Sequence, residues 1–162
     1  MPFYPPKGLD EIIKTLNAEI VKIESRTLKG LIRAQIKIRR DMDMVSPKIP
    51  VDTGNLRSSY FTVTSDGDTP DGAAANFINK DGRAGVLSAN HTAIINESLD
   101  NAKKKGYPYI IFGFTAFYSI YVHEMVGANF KRQGAGAKFL EAALKNNKDA
   151  ILKIIGQEAT IK

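Results

Sequence analysis

The chain has 162 residues, no cysteine and only two histidines, His91 and His123. That length suits one domain, and such a domain buries roughly 68–70% of the surface its unfolded chain exposes, so its core needs no metal or disulfide. The missing cysteines exclude disulfide frameworks, thiolate metal sites and cysteine nucleophiles. The formal net charge is +6, but it is unevenly spread. Residues 1–40 hold nine basic and four acidic side chains, residues 41–100 four and nine, and residues 101–162 ten and four. Two basic ends flanking an acidic middle suit head-to-tail association between copies, or a basic face near nucleic acid; the plain alternative is a solvated surface. No stretch approaches the roughly 18 apolar residues of a membrane span. The first residues lack the basic-then-apolar order of a secretion signal.

Pro2, Pro5 and Pro6 make residues 1–8 an extended arm. A helix begins near Leu9 or Asp10, and its apolar residues recur at Leu9, Ile13, Leu16, Ile20 and Ile23, then at Leu31, Ala34 and Ile38. Spacing of three and four marks one helical face. About 35 residues of helix span about 50 Å, more than a domain of this size needs, so part of the face is expected to pack on something else. The alternative is two helices kinked near Thr27–Gly30. Pro47 and Pro50 end the helix.

Tyr60–Thr64 reads as a strand, rich in β-branched and aromatic residues. Residues 65–83 read as a long acidic loop, and the whole of 65–105 as an insertion. Val86–Ile95 is predicted as a strand, Asn96–Lys105 as a short helix and Tyr109–Thr115 as a central strand covered on both faces. Phe117–Met125 is expected to form a short helix. Lys138–Ile155 is predicted to be one amphipathic helix capped by Gly156. The fold class is therefore α+β: a long N-terminal helix, a small mainly antiparallel sheet with a long loop insertion, and a C-terminal amphipathic helix, with residues 9–162 a single domain.

No catalytic constellation emerges. His123-Glu124 begins like a zinc-protease HExxH, but Gly127 stands where the second histidine belongs. Gly134–Lys138 lacks the spacing of a phosphate loop, and the aspartates of the acidic loop lack calcium-loop order. The sequence therefore predicts no enzyme, no metal and no cofactor. Lys37, Arg39 and Arg40, and Lys103–Lys105, are basic clusters without a recognition-helix pattern, so DNA contact would be to phosphate and independent of sequence.

One segment is informative. In Pro50-Val51-Asp52-Thr53-Gly54-Asn55-Leu56-Arg57-Ser58, Asp52 and Thr53 can turn the chain through side-chain bonds, Gly54 can take a positive φ, Leu56 returns to the core and Arg57 projects a fixed charge. This segment resembles the P-V-D-T-G-x-L-R-x-S signature of a tailed-phage family of minor tail components, neck proteins and tail-completion proteins. Tyr118-Ser119-Ile120-Tyr121-Val122-His123-Glu124 is similar to a later segment of that family. Phe139-Leu140 within Gly136–Leu144 is similar to its closing helix. The family's usual E-F-G-T is here Glu124-Met125-Val126-Gly127.

The resemblance implies a structural virion protein, assembled in the host cytoplasm. Such subunits form homo-oligomeric rings, often hexamers, at the head–tail junction. They join the head-side connector or adaptor to the tail-tube or tail-terminator proteins, and DNA passes through the lumen without sequence-specific binding. A tail terminator, a head-completion protein and a sequence-independent DNA-binding accessory protein are the alternatives. Arg57 and the corner at Asp52–Gly54 are expected to fix the long helix against the sheet, with Glu124 as the partner of Arg57. The acidic loop is expected to reach a neighbouring copy, and to be removable over Thr69–Gly82 without unfolding the chain.

Overall fold

The computed structural model describes residues 8–160; the arm expected over residues 1–8 lies, but for Gly8, outside them. Eight elements follow in order. They are α1 (Leu9–Met44), α2 (Asn55–Ser58), β1 (Tyr60–Thr64), α3 (Ala84–Lys103), β2 (Ile110–Phe114), α4 (Ser119–Glu124), α5 (Phe139–Asn146) and α6 (Lys148–Ala159). The fold is α+β, with a long first helix, an antiparallel two-stranded sheet and closing amphipathic helices.

α1 is one helix of 36 residues, about 54 Å long at about 1.5 Å per residue. No kink divides it. Gly30 serves a different purpose from a bend: a Cβ there would stand 3.0 Å from the Ile155 Cα and 3.2 Å from the Glu158 Cβ, so the glycine lets α6 approach closely. Beyond Met44 the chain turns out. Lys48 donates its N–H to Gly134 (2.8 Å) and accepts from Gly136 (3.1 Å), joining the exit of α1 to the segment before α5.

β1 pairs with β2 in the register Tyr60↔Phe114 to Thr64↔Ile110. All five β1 residues are buried although the sheet has two strands. The reason lies on its other edge, where Thr62 N–H donates to Asp71 O (2.9 Å) and Thr64 N–H to Asp68 O (3.0 Å). The acidic stretch thus satisfies the edge that a two-stranded sheet would leave open. One face of the sheet joins a core of Ile38, Met42, Ile49, Leu56, Tyr60, Leu87, Ala116, Phe139 and Ala143. The other meets α3 through Phe61, Val63, Ile95 and Ala102.

Several expectations are corrected. Val86–Ile95 is helical and continuous with Asn96–Lys103 in α3. β2 is an edge strand, half-buried along its length, rather than a central one. The stretch 65–105, read as an insertion, supplies Leu87 and Phe77 to one core and Ile95 to the other, and of these only Phe77 lies within Thr69–Gly82. Gly72 sits so tightly on β1 that a Cβ would lie 2.1 Å from Tyr60 O. Deleting Thr69–Gly82 would therefore strip an edge of β1. The final helix is two helices, broken at the buried Asn147, whose amide donates to Asp41 Oδ2 (2.7 Å) and Ala143 O (2.8 Å). Gly156 lies inside α6, which runs to Ala159.

Candidate interface groove

The corner at residues 50–56 forms one wall of a groove of about 460 Å³, within the range of about 300–1,000 Å³ typical of binding clefts. Its construction starts at Gly54, whose φ of 92° is left-handed and reverses the chain into α2. Thr53 Oγ1 accepts from the Asn55 N–H (3.3 Å) and Gly54 O accepts from the Ser58 N–H (2.9 Å). Leu56 then drops into the core, 6% exposed. Pro50 is buried and Asp52 exposed. Asp52 accepts from Lys131 Nζ (2.5 Å), which closes the rim. That bond holds the Asp52 carboxyl below its ordinary range and the Lys131 ammonium above its own.

The facing wall comes from Tyr118, Val122 and Phe130, and the floor from Leu56 and Leu87. Burial, with a smaller push from Asp52, raises the Tyr118 phenol. Ile78 completes the rim. Its N–H donates to Asn55 Oδ1 (2.7 Å), and Asn55 Nδ2 donates to Ile78 O (2.9 Å). Asn55 occupies the signature's variable position, so the clamp between α2 and the acidic stretch is a feature of this chain that the signature does not mark.

Arg57 does not meet Glu124. Its guanidinium reaches Asp43 Oδ2 (3.0 Å), on the last turn of α1. Asp43 is a hub: Oδ2 also takes Arg39 (3.2 Å), Oδ1 takes Arg132 (3.4 Å), and its backbone O takes Arg132 NH2 (2.6 Å). Arg132 also donates to Ile49 O (3.0 Å). Three arginines from three segments therefore join α1, α2 and the loop before α5. Arg57 thus contacts the long helix, through an acid outside the signature.

Glu124 is bonded instead to Lys138 Nζ and to His123 Nδ1 (3.0 Å), and the Lys138 bond first of all keeps its carboxyl below the usual range. Lys138 itself has φ 58°, left-handed for a residue with a Cβ, and its N–H donates to His123 O (2.7 Å). Tyr121 points to solvent, 70% exposed, and does not line the groove. Phe139 is 1% exposed and Leu140 packs against the same core, so both are core residues rather than surface ones.

His91 is buried among polar partners. Gly72 O can only accept, so Nε2–H donates to it (2.6 Å), and Nδ1 lies 2.7 Å from Thr115 Oγ1. This bridges α3, the residue after β2 and the acidic stretch. Among the described residues no three His, Asp or Glu side chains gather closely enough to hold a metal ion, and no helix is long and apolar enough to cross a membrane.

The groove is not the sole bare apolar surface. Leu9, Ile12, Ile13, Leu16, Ile20 and Val21 of α1 are all exposed, Ile12 by 65% and Leu16 by 58%. The same face is sealed from Leu28 onward. No family model, curated protein or solved structure matches the chain.

Proposed function

We propose that this chain is a ring-forming structural subunit of a tailed-phage neck, a tail-completion protein that joins the head connector to the tail. The reading is supported by the signature-like corner, whose residues both anchor α1 and wall a groove. The observation that carries it is the first three turns of α1: a folded body leaves an apolar helical stripe in water, and large bare apolar surfaces mark places where another chain sits. A closed ring needs two different patches on each copy, and this chain has a stripe and a groove.

Reconstruction of purified phage particles tests the proposal. The expected result is density for this fold in a closed ring between the head connector and the tail tube. Particles that lack the chain, or that carry it elsewhere, overturn the reading. Duplex-DNA titration provides a second check. A neck subunit shows at most weak binding by the single chain, whereas steep salt-dependent affinity would favour a DNA-binding accessory protein.

A further inference from the structure

The stripe and the groove sit at opposite ends of α1. The stripe is Leu9, Ile13, Leu16 and Ile20; the corner that walls the groove follows directly on Met44. From Leu16 to Met44 the unbroken helix runs about 42 Å at about 1.5 Å per residue, so the stripe cannot reach the groove of its own chain. The stripe also continues an interface the fold already uses. The same face of α1, further along at Ala34, Ile38 and Met42, is buried in the body of the fold.

Charge adds direction. Asp10 flanks the stripe, and neither Asp10 nor Glu11 makes an ion pair among the described residues. Arg83 stands on the groove and Lys80 near enough to Asp52 to favour its charged form, and neither has an ion-pair partner among the described residues. Asp81 lines the groove too, but Arg83 and Lys80 outnumber it, so an apolar helix edge with an acidic beginning meets an apolar groove whose unpaired rim charge is net positive.

We infer that the first three turns of α1 seat in the groove of a second copy of this chain, head to tail, with Leu16 over the Leu56–Leu87 floor and Asp10 toward Arg83 and Lys80. The contact is heterologous: each copy gives its stripe to one neighbour and its groove to another, and α1 is the spacer between them. Closure of such contacts into a ring rests on the neck reading; the contact itself does not.

The cysteine-free sequence makes the test direct. Leu16→Cys and Val122→Cys each place one thiol, on the stripe and on the groove wall. Mixed at millimolar chain under mild oxidation, the two variants should form a disulfide-linked heterodimer that neither forms alone. Leu16→Cys linking to itself as readily as to Val122→Cys would mean that α1 pairs with α1, and would overturn the inference. So would a mixture that yields no heterodimer. Leu16→Asp changes a side chain the single chain leaves in water, so its thermal midpoint should stay put. Association should weaken at least about tenfold, because the groove would bury an unpaired charge. Linkage of the two variants without any copy in phage particles keeps the contact and sinks the neck reading. A ring in particles without the 16–122 link does the reverse.

Discussion

Asp43 shows how much a fold can hang on one carboxylate. Its side chain is 13% exposed and touches Arg39, Arg57 and Arg132. Asp43→Ala should lower stability by about 2–4 kcal/mol, read by urea unfolding, because the mostly buried Arg39 and Arg132 lose their shared anion and Arg57 its partner. Arg57→Ala removes a half-exposed partner and should lower it by less than about 1 kcal/mol. Equal losses would mean that Arg57, not Asp43, is the centre. Tyr60→Phe should lower stability by about 1–3 kcal/mol, since Gln35 Nε2 donates to the buried hydroxyl (2.7 Å) and would be left without an acceptor. The turn at Gly54 and the burial of Leu56 were readable from residue type, and so was the outward reach of Arg57. Its partner was not, because Asp43 lies on α1, outside the signature. A partial signal did exist: Asp41 and Asp43 lie in the last turn of α1, where the helix dipole disfavours acids, and Lys37 and Arg39 one turn back each offer only one i,i+4 partner. Acids at that end leave room for further cations from elsewhere in the chain, and Arg57 and Arg132 supply them at Asp43.

Elements with a clean period were legible, and those whose period is carried by polar residues were not. α1 declared itself through three-and-four spacing on either side of a gap between Ile23 and Leu31. α3 did not, because one of its core positions is a histidine. Leu87, His91 and Ile95 lie four apart and are all buried, but His91 breaks the apolar count and leaves a β-branched run resembling a strand. The gap between α5 and α6 was hidden in the opposite way. Apolar residues continue in helical register across Asn147, and the break comes from a side chain bonded to Asp41 and to the preceding turn. At this scale Gly30 yields a clear prediction. Gly30→Val should force α1 and α6 apart and lower the thermal midpoint, by overpacking worth about 1–3 kcal/mol, despite valine's better helix propensity. A variant as stable as the parent would show that α6 can shift freely. Gly72→Ala should be worse, because its Cβ would come within 2.1 Å of β1 backbone, against 3.0 Å for the nearest atom at Gly30, and at a positive φ.

Across the whole molecule the charge pattern of basic ends and acidic middle is partly consumed within the chain. Asp43 takes cations from α1 and from the loop before α5, and Asp52 takes Lys131. The segments were legible from the sequence; that they answer one another inside one copy was not, because it depends on which loops the fold brings together. The pH dependence follows. The carboxyls of Asp52 and Glu124 are held below their ordinary values of 3.8 and 4.5 by Lys131 and Lys138. In the acid range the unfolded chain binds more protons than the folded one, so stability should fall as pH drops through these lowered values. The loss should be small, since both sites face water, and a Lys131→Ala, Lys138→Ala variant should show a flatter acid limb in a pH series of thermal midpoints. Tyr60 gives the opposite limb. Burial raises its phenol above the ordinary 10.0, so the unfolded chain ionises first and stability should decline above pH 10. Tyr60→Phe should remove that contribution.

The length of α1 also bears on the cost of order. A free helix shorter than about 12–15 residues is marginal in water, because its first turn must be nucleated before it can grow. The first three turns of α1 escape that requirement, since they extend a helix already held by the body from Leu28 onward. Each turn there adds only propagation, a nearly even balance between coil and helix. Backbone amides in residues 9–20 should therefore exchange with deuterium far faster than those of residues 30–42. A partner that seats the stripe should slow them with little change elsewhere. The terminal turns then act as a segment that orders on contact yet starts from a template, so docking loses less conformational entropy than it would for a detached peptide of the same sequence.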